Sequence, residues 1–237
     1  MNSLAARAYG VIRRPRVTFS TIVQVPSWAP ILAATTAVTF LCGVAFLRTD
    51  VGQQALVDQW ERTSTAFGQS VDDEGYARME QTARNAGFDA AYSAVTALAS
   101  GPALVFVLSG ALFLLLKARQ LEGARPSFAQ VLTVVSYAGV ILALRQVVAT
   151  PIEYIRESIA SPTTLVQLFS MLDEASPLAR FLGIIDLFVV WWIVVLAVGL
   201  SVLYRRRTRT VLLALTGAYV ALALLAALAM AVSGGTA

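Results

Sequence analysis

The 237-residue chain is 57% hydrophobic and 14% charged, carries a formal net charge of +4 and contains no histidine. This composition excludes an ordinary soluble globular protein and is typical of a polytopic membrane protein. The lack of histidine removes histidine-activated nucleophiles, histidine metal ligands and imidazole pH switches. The single cysteine, Cys42, excludes an intramolecular disulfide and a cysteine-cluster metal site. We therefore expect no cofactor and no bound metal.

Residues 1–27 mix four arginines with apolar residues at spacings near three and four. This amphipathic pattern is typical of a segment that lies on a membrane surface. Pro15 suits the first position of a second short helix, because its fixed φ matches the helical value. No continuous apolar region precedes residue 28, so a removable signal peptide is not predicted.

Five apolar stretches are long enough to predict transmembrane helices, since about 20 helical residues cross a hydrocarbon layer of about 30 Å. The predicted spans are about 28–47, 95–116, 127–150, 180–204 and 210–232. The connections 48–94 and 151–179 show helical apolar spacing and are predicted to form helices over the outer face of the bundle. The predicted fold is therefore an all-α polytopic membrane protein with five transmembrane helices.

Prolines predict where these helices break. Pro102 is expected to kink the second span, because proline removes a backbone hydrogen bond. A hydroxyl residue followed by proline is typical of a helix N-cap and first turn, and it predicts new helices at Thr150-Pro151, Ser161-Pro162 and Ser176-Pro177.

Charge asymmetry predicts the orientation. The N-terminal segment and the connections after the second and fourth spans together hold eleven basic residues and one acidic residue, whereas the other two connections, with Arg180 at the border of the fourth span, hold six basic and twelve acidic residues. Basic connections remain on the cytoplasmic side of a membrane. We therefore expect the N-terminus inside and the C-terminus outside.

Arg145 and Asp186 are the charged residues that lie inside predicted spans rather than at their borders. Both are expected near the outer ends of consecutive antiparallel helices, so they can pair at matching depth. The pair has two interpretations, a structural clasp between helices or a proton or ion relay. An intramembrane aspartyl hydrolase is set aside because it needs two carboxylates. A Ser-Lys dyad is set aside because the only lysine, Lys117, ends a span.

Two arginine groups are predicted to contact anionic lipid headgroups or an acidic partner on the cytoplasmic side. They are Arg13, Arg14 and Arg16 before the first span, and Arg205, Arg206, Arg207 and Arg209 after the fourth. Because these charges cluster at the ends of helices, membrane topology and anionic lipid explain them better than nucleic acid, and nucleic-acid binding is not expected. Small residues within the spans, including Gly199 and Gly217, permit close helix packing or a homo-oligomer interface.

Several residues together resemble the YIP domain family, the Ypt-interacting-protein membrane proteins, in its short prokaryotic form. They are the entry Arg14-Pro15-Arg16-Val17-Thr18-Phe19, Ser136-Tyr137-Ala138 in the third span, Phe188, Trp191-Trp192 and Gly199-Leu200 in the fourth, and Tyr219 in the fifth. The resemblance implies a non-enzymatic five-helix membrane protein in a prokaryotic inner membrane. Eukaryotic members bind prenylated Rab-type GTPases, but their Asp-Leu-Tyr-Gly-Pro type motif is not found here.

Two functions follow as hypotheses. The first is a membrane interaction or scaffold protein whose helices are clasped by Arg145 and Asp186 and which binds lipid or an unidentified membrane protein partner. The alternative is a transporter, or an accessory subunit of one, in which the same two residues line a path.

Overall fold

The computed structural model describes residues 3–66, 68–118, 126–159, 161–168, 182–183 and 185–234. These residues are mainly helical, and within them the only β-type pairing is an isolated bridge between Thr164 and Asp186. The helices are α1 (Leu4–Arg13), α2 (Pro15–Ile22), α3 (Ala29–Leu47), α4 (Asp50–Ala66), α5 (Asp73–Ala83), α6 (Phe88–Leu98), α7 (Leu104–Ala118), α8 (Phe128–Ala138), α9 (Val140–Ile155), α10 (Leu187–Leu203) and α11 (Thr208–Gly234). A π-helical turn, Ala99–Ala103, joins α6 to α7, and a 3-10 turn spans Leu165–Leu168.

The amphipathic N-terminal segment forms two helices, as predicted. Ser3 caps α1 by accepting the Ala6 amide, and Pro15 occupies the first turn of α2. Phe19 and Ile22 of α2 are buried against the membrane helices. The segment is therefore packed onto the bundle along its apolar face.

Three helical stretches are long and apolar enough to cross a membrane, namely Ala29–Leu47, Phe88–Leu115 and Phe128–Ile155. Helix α10 and residues Thr208–Leu222 of α11 are apolar but shorter. Length and composition thus support three crossings in the described part of the chain. The count of five crossings remains a prediction.

The distortion expected at Pro102 takes the form of the π-helical turn. The wider turn accommodates a residue that has no N–H and whose ring crowds the preceding turn. Beside it, Gly101 allows close approach to α3, since a Cβ there would lie 2.8 Å from Thr36 Oγ1.

The prediction that Thr150-Pro151 starts a new helix was wrong. Helix α9 continues through Pro151 to Ile155, and the Thr150 hydroxyl donates back to the Gln146 carbonyl. Proline is tolerated within membrane helices where neighbouring groups satisfy the backbone. Ser161-Pro162 likewise precedes only the short 3-10 turn, and Ser176-Pro177 lies outside the described residues.

Helix α10 begins at Leu187, later than the predicted start of the fourth span. Asp186 had been expected inside the apolar helix, and the structure corrects this: it is the N-cap of α10. Its side chain accepts the Phe188 and Val189 amides, which have no partner within the helix. An aspartate is therefore compatible with this otherwise apolar helix.

The predicted surface helices of residues 48–94 are present as α4 and α5. Leu56 of α4 is buried with Phe46 and Leu47 at the end of α3, and Trp60 packs edge-on against Phe88. Asp89 at the start of α6 accepts a hydrogen bond from Arg48 at 2.9 Å. This acidic region thus packs over one end of the α3–α6 pair.

Candidate functional site

The structure places the two predicted intramembrane charges in contact. Arg145 Nε of α9 donates to Asp186 Oδ2 at 2.7 Å, across 41 residues of chain. Asp186 is only 5% exposed, and the Arg145 side chain retains 28% of its surface. The pair joins the N-terminal half of α9 to the N-cap of α10.

Two hydroxyls complete this cluster, and sequence reasoning had assigned them no role in it. Ser161 Oγ accepts from Arg145 Nη2 at 2.7 Å and lies 2.9 Å from Asp186 Oδ2, to which it donates. Thr163 Oγ1 donates to the same carboxylate oxygen at 2.6 Å. The Leu187 amide also donates to the Thr163 carbonyl at 3.0 Å. The segment after α9 is thereby fastened to the start of α10.

The Asp186 carboxylate is saturated with donors. Oδ2 accepts from Arg145, Ser161 and Thr163, and Oδ1 accepts from two backbone amides of α10. A carboxylate offers about four lone-pair sites, so this arrangement leaves no acceptor site open to a mobile proton. The geometry fits a fixed structural anion better than a relay group.

A second carboxylate, Glu153 of α9, lies in the same half of the molecule. It is 8% exposed, and its side chain lies within electrostatic range of Arg145 on the same helix. Sequence reasoning placed Glu153 in an external connection, because the predicted span ended before Pro151. The continuation of α9 is what buries it.

A cavity of about 160 Å³ lies between α3, the π-helical turn, α8 and α9. Polar side chains line part of it: Thr35, Thr39, Ser100, Ser136, Arg145 and Gln146. The hydroxyl of Ser136 is fully buried and has no hydrogen-bond partner within the described part of the chain. The cavity is large enough to hold a few water molecules beside the Arg145–Asp186 ion pair.

The predicted basic residues divide into two sets. A cleft of about 940 Å³ lies between α2 and the turn that joins α10 to α11, and we call it the arginine cleft. Its lining consists of Arg16, Val17, Ser20, Ser201, Val202, Arg205, Arg206, Arg207 and Thr208. Arg13, Arg14 and Arg209 are not among the lining residues, and Arg13 instead donates to Tyr9 Oη at 2.7 Å.

The turn that carries three of these arginines has a specific backbone geometry. Arg205 is in the left-handed region, with φ of 52°, and the Arg206 amide donates to the Ser201 carbonyl at 3.0 Å. This is the Schellman ending of a helix, in which the left-handed residue is usually glycine. An arginine there costs about 1–2 kcal/mol of conformational energy.

A glycine holds α2 against α10 and so places Arg16 opposite this turn. A Cβ on Gly199 would lie 2.5 Å from Val134 Cγ1 and 3.1 Å from Phe19 Cζ. The three helices α2, α8 and α10 therefore meet at a point that admits no larger residue without movement. Ser201 and Thr208, whose hydroxyl oxygens are 2.9 Å apart, tie the two sides of the turn together.

Most of the chain matches the model of one protein family. The model of the Yip1 domain matches residues 9–230. The chain belongs to the Yip1 domain family. The resemblance seen in the sequence is thereby confirmed, and the Yip1 domain takes in α2, the ion pair and the arginine cleft.

The Yip1 family consists of membrane proteins and is not known for enzymatic activity. Together with the three long apolar helices, membership identifies this Yip1-domain chain as an integral membrane protein. No curated protein and no solved structure gave a significant match to the chain. Among the described residues, no group of three or more histidine, cysteine, aspartate or glutamate side chains is arranged to hold a metal ion.

Proposed function

We propose that this Yip1-domain protein is a non-enzymatic membrane scaffold, in which five helices cross the bilayer and an Arg145–Asp186 clasp fixes their outer ends. The N-terminus and the arginine cleft face the cytoplasm, and α4 and α5 face outward. The scaffold presents its basic side to anionic lipid or to an acidic membrane partner.

The observation that carries this proposal is the saturation of the Asp186 carboxylate. A relay group must exchange its proton and hydrogen-bond partners during each cycle, whereas Asp186 is held by donors from α9, the segment 161–168 and α10 at once. Removing one member of a buried pair costs about 3–5 kcal/mol, because the other charge is left without compensation. The clasp is therefore suited to stabilising one arrangement of helices.

The test compares Asp186→Asn with Asp89→Asn in purified protein. Asp89 pairs with Arg48, whose side chain is 70% exposed, so losing that solvent-screened pair should have little effect on stability. We expect Asp186→Asn to lower the thermal unfolding midpoint in mild detergent far more than Asp89→Asn does. Equal midpoints for the two variants would contradict the clasp.

Transport is the second candidate, and Glu153 and the polar cavity favour it. A buried carboxylate such as Glu153 is the type of group that binds and releases protons in membrane transporters. If the protein transports, Glu153→Gln should abolish proton-coupled flux in proteoliposomes without lowering the unfolding midpoint. If Asp186→Asn instead abolishes proton-coupled flux and leaves the unfolding midpoint unchanged, Asp186 is a relay group and not part of a clasp.

Copurification identifies the partner class. If partners bind the basic face of the scaffold, they do not contact Asp186. Wild-type protein and Asp186→Asn extracted in mild detergent should then retain the same associated proteins. Stoichiometric recovery of a transport ATPase would favour an accessory transport subunit over the scaffold.

A further inference from the structure

The arginine cleft combines cations from two distant parts of the chain. Arg16 comes from the first turn of α2, whereas Arg205, Arg206 and Arg207 come from the turn after α10. All four side chains are exposed, and no carboxylate of the described residues forms a salt bridge with any of them. Four like charges are thus held around one space without internal compensation.

The backbone adds to this positive field. Thr208 lines the cleft and is the first residue of α11, a helix of 27 residues. The start of a helix carries about half a positive charge and presents amides without intrahelical partners. Guanidinium groups and helix N-termini are both well suited to phosphate, guanidinium because it binds two oxygens at once.

The remaining lining residues indicate that the phosphate belongs to a lipid. Val17 and Val202 lie beside the arginines, and Val17 is 62% exposed. The cleft stands where the apolar helix α10 ends and α11 begins, which is the level of the headgroups for a helix that crosses the bilayer. A free anion would contact only the arginines, whereas a phospholipid also covers the two valines.

We propose that the arginine cleft is a binding site for the phosphate headgroup of an anionic phospholipid in the cytoplasmic leaflet. This inference rests on the membrane orientation proposed above. Arg205 occupies a left-handed position where glycine is favoured, which agrees with a need for charge at this point of the turn.

The test uses two double variants with the same net charge. Arg16→Gln with Arg206→Gln removes two cations from the cleft, whereas Arg13→Gln with Arg209→Gln removes two from the same segments outside it. Because each variant keeps half of its cluster or more, the topology signal is retained. Phosphatidylglycerol, phosphatidylcholine and inorganic phosphate serve as probes, with bound lipid measured by native mass spectrometry of the full-length protein.

We expect wild type to retain phosphatidylglycerol over phosphatidylcholine and the cleft variant to bind phosphatidylglycerol about tenfold or more weakly, since each basic residue near a membrane surface contributes about 1 kcal/mol. The control variant should remain within about twofold of wild type. Equal weakening of both variants, or of neither, overturns the site.

Displacement of the lipid by millimolar inorganic phosphate would assign the cleft to a free anion instead. Retention of an acidic protein on the cleft, with no lipid bound, would likewise overturn the lipid assignment. If the cleft variant unfolds at the wild-type midpoint and binds phosphatidylglycerol as tightly as wild type does, the lipid site is refuted. The proposed scaffold and clasp are unaffected by that result.

Discussion

Arg145 and Asp186 are joined twice, once directly at 2.7 Å and once through Ser161 Oγ, which lies 2.7 Å from Arg145 Nη2 and 2.9 Å from Asp186 Oδ2. The planar guanidinium of Arg145 can make both contacts at once, because its N–H donors point in fixed, separate directions. The contact ties α9, the 161–168 segment and α10 into one layer. The stability of that layer should depend on each donor to Asp186.

Thr163→Val tests this dependence. The substitution conserves side-chain shape but removes the hydroxyl that donates to Asp186 Oδ2 at 2.6 Å in a buried position. We expect a loss of about 1–3 kcal/mol in the free energy of unfolding, measured by denaturation in mild detergent. Thr164→Val is the matched control, because the Thr164 hydroxyl makes only a 3.3 Å contact with the Ser161 carbonyl. Similar losses for both variants would mean that the Asp186 cluster contributes no special stability.

Gly199→Ala tests the close approach of α2, α8 and α10. The added methyl would overlap Val134 Cγ1, a stiff β-branched side chain, and should cost about 1–3 kcal/mol. Gly217→Ala adds the same methyl in α11 with no atom within 4 Å, so it should be neutral or slightly stabilising. Thermal unfolding of both variants by circular dichroism is the measurement. The prediction fails if Gly199→Ala is as stable as Gly217→Ala.

Arg205→Gly and Arg205→Ala separate backbone strain from charge in the turn after α10. Both variants lose the guanidinium, but only glycine adopts a φ of 52° without penalty. We expect the glycine variant to be about 1 kcal/mol more stable than the alanine variant in detergent unfolding. Equal stability would show that the left-handed geometry at Arg205 carries no strain.

The orientation can be tested by cysteine labelling. In a Cys42→Ala background, a cysteine at Ser70 should react with a membrane-impermeant maleimide added outside intact cells, whereas a cysteine at Ser20 should react only after permeabilisation. A reporter fused after residue 237 should be external if the number of crossings is odd. Labelling of Ser70→Cys only after permeabilisation would reverse the proposed orientation.

Sequence patterns predicted those helices and breaks that depend on residues close together in the chain. The first-turn proline of α2, the surface helices α4 and α5 and the break at Pro102 each depend on nearby residues alone. The capping signal at the start of α8 was present in the sequence but was not recognised. Ser127 and Gln130 form a capping box, and Gln130 Nε2 also donates to the Val23 carbonyl at the end of α2.

Other features were beyond local patterns. Thr150-Pro151 has the composition of a helix start, yet the surrounding bundle keeps α9 helical to Ile155 and so buries Glu153. Ser161 likewise resembled a cap, but its hydroxyl bonds Arg145 and Asp186 instead. When several groups could bind one hydroxyl, the hydroxyl binds the buried group whose unsatisfied state would cost the most free energy.

The sequence alone determined that this is a membrane protein of the Yip1 type, because apolar length and the placement of arginines are properties of the linear chain. Only the tertiary structure decided which charges meet. Asp186 caps α10 and pairs with Arg145. Arg16 lines one cleft with Arg205, Arg206 and Arg207, whereas Arg13 and Arg209 lie outside that cleft. The physical reason is that helix rotation and close approach, as at Gly199, are set by packing between segments far apart in the chain.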